Sequence, residues 1–233
     1  MRAISIIYRR ELGTYLRSPF GWVIAAILLL IDGILFEGYA MSGEQLSALV
    51  LERYFYFASL MPLFGGVLLS FRLLSEERQN HSMVLLNTSP VRDSDIVLGK
   101  FFAALTFLAI LLLLSVYMPV LIKVNGKITS AQVLVGAATL AIGLFGSALS
   151  RQQLIAAVTA SAMVAILCFI HLLANKVDAP LKDVIEQVDL WWVHFQYGFM
   201  KGVLNLKDVI YYLATTYFFL LLSIKTLEAK RWQ

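Results

Sequence analysis

Uninterrupted uncharged runs alternate with short charged connections along this chain. The stretches without Asp, Glu, Lys or Arg are Tyr54 to Phe71 (18 residues), Phe101 to Ile122 (22), Ile128 to Ser150 (23), Gln152 to Asn175 (24) and Val209 to Ile224 (16). About 20 apolar residues at 1.5 Å rise per residue cross a hydrocarbon core about 30 Å thick, so these runs predict membrane-crossing helices. The shortest is extended by Lys225, whose stem can lie along lipid while its ammonium reaches water. A further run, Pro19 to Phe36, is interrupted only by Asp32. A cleavable leader ending at Gly38-Tyr39-Ala40 is disfavoured, because the basic region before the run is long and itself patterned as a helix. The expected fold class is therefore an all-α integral membrane protein with six transmembrane helices, built as one domain over residues 1–233.

Three segments outside the spans carry a pattern of their own. Ile4, Ile7, Tyr8, Leu12, Tyr15 and Leu16 recur at three- and four-residue intervals, with Arg9, Arg10, Thr14 and Arg17 elsewhere around the wheel. Residues 1–18 thus predict an amphipathic helix on the inner leaflet, ended at Ser18-Pro19 because a residue before proline is pushed out of helical angles. Residues 75–95 form the longest inner connection. There a helix over Ser75 to Asn87 is expected to continue span two until Ser89-Pro90, with Asp93 or Ser94 capping span three and Lys100 reaching lipid phosphates. Between spans five and six, residues 176–208 predict a short helix with Leu181, Val184, Ile185 and Val188 on one face and Lys182, Asp183, Glu186 and Asp189 on the other. An interfacial aromatic stretch with Trp191, Trp192, Phe195, Tyr197 and Phe199 follows, either dipping into the membrane or packed over the outer ends of the spans.

Composition agrees with lipid as the solvent: 60% of the 233 residues are hydrophobic and 15% charged, with mean hydropathy +0.78, against about a quarter charged in ordinary globular domains. Charge fixes the expected orientation. With both termini cytoplasmic, the inner segments hold twelve basic and six acidic residues and the outer ones seven and nine, a balance of +6 against −2. That is the positive-inside pattern, and it explains the pI of 9.2 without nucleic acid.

Resident chemistry is sparse. The only approach to a phosphate-cradling P-loop is Gly99-Lys100, which has Ser94 where the motif needs glycine and Phe101 where it needs a hydroxyl residue. No metal-ligand spacing joins His81, His171, His194 and Cys168. A Ser147–His171 dyad is disfavoured, because one residue lies near the inner turn and the other near the outer end of neighbouring spans, roughly 24 Å apart in depth at 1.5 Å per residue. No catalytic, metal or cofactor site is therefore expected in this chain. Acids inside a span are costly and point to function. Asp32 is read either as lining a substrate path or as approaching the outer interface, and Glu37 likewise.

The stretch EERQNHSMVLLNTSPVRDSDIVLGKF, Glu76 to Phe101, resembles the signature of ABC-2 type transporter permeases. It has an acidic pair after span two, a short apolar helix, a Ser-Pro break, an acidic helix start and Gly-Lys opening span three. RRELGTYLRSPFGWVIAAILLLIDGILF, Arg9 to Phe36, is similar to the start of the gliding-motility-associated branch of that family, whose fold is of the type V exporter kind. One departure is His81-Ser82, where the family commonly has glycine. The resemblance implies a permease subunit of an ATP-binding cassette exporter in the bacterial inner membrane. Its second-to-third connection would be a coupling helix seated on a separate ATPase. Glu76, Glu77, Arg78, His81, Met83, Leu86, Ser89, Pro90 and Arg92 would form that contact. Two ATPase copies would bind ATP and magnesium, beside a second permease copy or sibling and an auxiliary extracytoplasmic subunit. The alternative is a non-transporting anchor that recruits an ATPase to a motility or envelope machine.

Overall fold

A computed structural model of the chain describes residues 2–40, 56, 59–80, 91–115, 127–174, 176–196 and 205–231, with only the backbone at 2, 39–40, 127–130 and 231. Among them the elements in chain order are α1 (Arg2–Arg17), α2 (Pro19–Leu35) with a π-turn (Phe36–Ala40), α3 (Leu60–Ser70), α4 (Arg72–Gln79), α5 (Asp93–Ser115) and α6 (Lys127–Leu149). After them come α7 (Gln153–Phe169), α8 (His171–Ala174), α9 (Leu181–Glu186), a π-turn (Trp192–Gln196) and α10 (Leu206–Arg231). No strand occurs among the described residues.

Among the described residues, five stretches are long and apolar enough to cross a membrane: Pro19–Gly38, Asp93–Ser115, Ala131–Leu149, Gln153–Ala174 and Leu206–Lys230. Of the expected second span, α3 is the described part. The Asn125-Gly126 turn expected before α6 lies outside the described residues. α5 begins eight residues before its uncharged run, at Asp93, where two acids of the first turn suit the positive end of the helix dipole.

α6 is the centre of the bundle. Within its span 78% of residues are buried, against 22% for α7 and 17% for α10, which leave lines of Leu, Ile and Phe exposed. Small residues let the neighbours close onto it. A Cβ on Gly66 of α3 would lie 2.1 Å from Thr139 Oγ1, and one on Gly146 would lie 3.0 Å from Ala160 N of α7. Ala156 and Ala160 are fully buried, whereas Ser161 is exposed.

α1 packs along the first half of α5. Tyr15 stacks on Phe107 at 5.2 Å between ring centroids and donates to Leu69 O at 3.3 Å. Tyr8 donates to Thr106 Oγ1 at 3.2 Å. The stripe expected to face lipid is thus partly covered by protein, while Ile6 and Leu16 remain exposed. The expected break holds: Ser18 is extended, and its hydroxyl accepts from Gly21 N at the start of α2. Gly21 is required there, since a Cβ would lie 1.9 Å from Tyr15 O.

Candidate functional site

α3 and α4 would be one helix but for Phe71, and the interruption is imposed from outside. Ser147 of α6 inserts its hydroxyl into the ladder, accepting from Leu74 N and Ser75 N, both at 3.0 Å, and donating to Phe71 O at 2.9 Å. A side chain that enters the ladder bends a helix, and a hydroxyl can satisfy the backbone groups so released. The same contact fixes α4 against the end of α6. There Arg78 donates through Nη1 to Ala148 O and, at 3.1 Å, to Ser150 O.

Four charges then tie α4 to α1 and α5. Lys100 of α5, only 3% exposed, lies 3.1 Å from Glu11 Oε1 and 3.0 Å from Glu77 Oε1. Arg10 Nη2 donates to both carboxylates, at 2.8 Å to Glu11 and 2.9 Å to Glu77. Two cations and two anions cancel, so the cluster can be drawn into the protein without stranding charge. Burial acts to raise the Glu11 pKa, but Lys100 and Arg10 outweigh it and hold the carboxyl below its usual 4.5. A depressed carboxylate stabilises the fold above its unfolded pKa, and the contribution is lost as pH falls through the lower folded value. Docking of α1 should therefore be constant near neutral pH and weaken below about pH 4.5. Protease cleavage within α1, measured against pH, checks this.

The residues expected at a partner contact separate into two groups. Glu77 points inward to Lys100 and Arg10, and its side chain is 10% exposed. Arg78 is turned toward the α6 terminus. Glu76 pairs bidentately with Arg72, whose guanidinium lies 4.3 Å above the Phe20 ring. Arg92 is exposed just before α5, where its carbonyl accepts from Asp95 N at 2.9 Å. His81, Met83, Leu86, Ser89 and Pro90 lie outside the described residues. Lys100, read as a lipid anchor, is instead internal. Its partners Glu11 and Glu77 are distant in the chain, and no local spacing reveals them. The expected helix from Ser75 begins at Arg72 and is described to Gln79.

Asp32 is 2% exposed and faces α3, beside a small apolar recess formed with Leu28, Ile31, Leu35, Leu60, Met61 and Phe64. Glu37 is exposed. At the opposite end of the bundle, the segment before α10 turns inward. Asp189, expected on the polar face of a surface helix, lies past the end of α9 and is fully buried. Its Oδ1 accepts from Trp191 N at 2.9 Å and Val193 N at 3.1 Å, and its Oδ2 lies 3.3 Å from His171 Nδ1. His194 meets Asp208 Oδ1 at 2.8 Å. His171 and Ser147 thus sit in separate hydrogen-bond sets at opposite ends of the bundle, and no dyad forms.

The family described as ABC-2 family transporter protein matches residues 5–175. The chain belongs to that family. The match takes in α1 to α8, and with them both the break at Phe71 and the Glu11–Lys100–Glu77 cluster. A search of curated proteins finds no match. Membership, with the apolar helices, makes this ABC-2 protein a multi-pass membrane protein, and it implies an ABC ATPase as partner.

Proposed function

We propose that this ABC-2 protein is the membrane-spanning permease subunit of an exporter, worked by a separate ATPase through the connection between α4 and α5. The reading places both termini and the clasped end of the bundle in the cytoplasm, in the inner membrane, with α1 at the inner surface. It pairs the chain with a second copy or a sibling permease and two ATPase copies that carry ATP and magnesium. Asp32 is a candidate for the path between permeases, and the gliding-motility branch is the nearest functional setting.

The observation that carries the proposal is the two-sided attachment of α4. Ser147 and Arg78 hold it to α6, while Glu77 holds it to α5 and α1. A push on the chain beyond Asn80 would therefore reach three helices together, because packed cores respond as units rather than by gradual deformation. In this scheme Glu77 and Arg78 transmit the push, and Glu76 and Arg92 stand nearest the partner.

Reconstitution of the chain with its ATP-binding subunit in liposomes tests the proposal. Substrate-stimulated ATP hydrolysis is expected; hydrolysis that no transported solute or lipid stimulates, with every subunit present, would favour the recruiting anchor. Arg92→Glu should lower copurification of the ATPase several-fold and leave thermal unfolding unchanged. Unaltered copurification would remove Arg92 from the contact.

A further inference from the structure

Where α6 ends, cations gather from three directions. Arg78 arrives from α4, Arg151 from the turn into α7 and Lys230 from the last turn of α10. Lys230 Nζ donates to Ala148 O at 3.0 Å and to Leu149 O at 2.7 Å, so it shares the Ala148 carbonyl with Arg78. Lys and Arg often bind the last carbonyls of a helix, and that accounts for Lys230 and for one nitrogen of Arg78. It does not account for the rest. Nη2 of Arg78 is buried with no hydrogen-bond partner, and the exposed Arg151 side chain makes no hydrogen bond or ion pair among the described residues.

The charge is also unbalanced. A helix C-terminus offers about half a negative charge against three positive ones, and none of the three pairs with a carboxylate among the described residues. Burial, with Arg151 adding to it, pushes the Arg78 pKa down. The imbalance contrasts with the Arg10, Glu11, Glu77 and Lys100 cluster, where every charge is answered.

We infer that Arg78, Arg151 and Lys230 form a binding site for the phosphate of an anionic phospholipid headgroup. An apolar margin favours a lipid over a soluble anion. Leu149, Leu154 and Ile155 flank Arg151 and are 46%, 76% and 49% exposed, so acyl chains can lie on them while the phosphate meets the cations. Basic pockets between membrane helices bind acidic headgroups on this principle, and a surface Lys or Arg contributes roughly fivefold in affinity. The inference needs only a membrane-embedded chain and is independent of transport.

The test is native mass spectrometry of the full chain in detergent, titrated with phosphatidylglycerol, with phosphatidylcholine of the same acyl chains, and with inorganic phosphate. Phosphatidylglycerol should bind more tightly than phosphatidylcholine. Arg151→Gln, at an exposed position that holds no other group, should weaken phosphatidylglycerol about fivefold, and Arg151→Gln with Lys230→Gln about 25-fold. Phosphatidylcholine binding should not change in either variant, and Arg9→Gln, an exposed arginine of α1, should behave as wild type. Equal binding of the two lipids, or of phosphatidylglycerol to wild type and Arg151→Gln, overturns the proposal. Displacement of the lipid by millimolar phosphate would overturn the lipid assignment in favour of a free anion. Loss of ATPase copurification from Arg151→Gln in membranes of phosphatidylcholine alone would assign the cations to a protein carboxylate instead.

Discussion

Lys100→Met should release α1 from the bundle and destabilise the protein by about 3 kcal/mol, the lower end of what is expected when one member of a buried ion pair is removed. Methionine keeps the length and the apolar stem, so the loss isolates the ammonium. Glu11 and Glu77 would then keep Arg10 but lose the buried ammonium that meets both. Because the Arg10 side chain is 58% exposed, water screens it, and it can replace little of what Lys100 supplies. Chemical unfolding in detergent measures the loss, and faster proteolysis within α1 locates it. The triple variant Lys100→Met, Glu11→Leu, Glu77→Leu should recover most of the stability, since an apolar replacement of a whole buried cluster is often neutral. If Lys100→Met unfolds like wild type, the cluster does not hold the three helices together.

Gly143→Ala is the second change with a large expected effect. A Cβ at this position of α6 would lie 1.8 Å from Ser70 Oγ and 2.7 Å from Ser70 Cβ. The hydroxyl could rotate away, but the Cβ cannot, so α3 would be forced off α6 beside the Phe71 break. Overpacking of this kind costs about 1–3 kcal/mol, and here it also pulls Ser147 from the groups it satisfies. Ser70→Gly should restore most of the loss, short of the roughly 1 kcal/mol that glycine costs within a helix. The Ser70 hydroxyl donates only to Val67 O among the described residues, at 3.0 Å, so little else is sacrificed. A double-mutant cycle on thermal unfolding reads the coupling between the two positions; additive losses would mean that the two helices do not meet there.

What was legible in the sequence follows from what physics makes local. The uncharged run Ile128 to Ser150 became α6 with one-residue errors at each end, because the length of an apolar stretch is written directly in the chain. Ser18-Pro19 ended α1 as expected, since proline acts on its immediate neighbour. The Phe71 break was invisible: neither Pro nor Gly stands there, and its cause is a serine 76 positions away. Lys100 was misread for the same reason. A lysine at the start of a span suits lipid phosphate, and only the fold brings Glu11 and Glu77 to it. Asp189 looked like one more polar residue on a surface helix. It organises the inward turn instead, and three backbone N–H groups from separate residues converge on it.

Together these contacts make α4 the handle of the bundle, attached on one side by hydroxyl and guanidinium to α6 and on the other by charge to α1 and α5. The most direct test of that claim uses Gln79, the exposed last residue of α4, changed to cysteine in a Cys168→Ser background and isolated with the ATP-binding subunit. The account predicts a cross-link from position 79 to that subunit whose yield changes when ATP is added. No cross-link, or labelling of the cysteine in intact cells by a reagent that cannot cross the membrane, would contradict it.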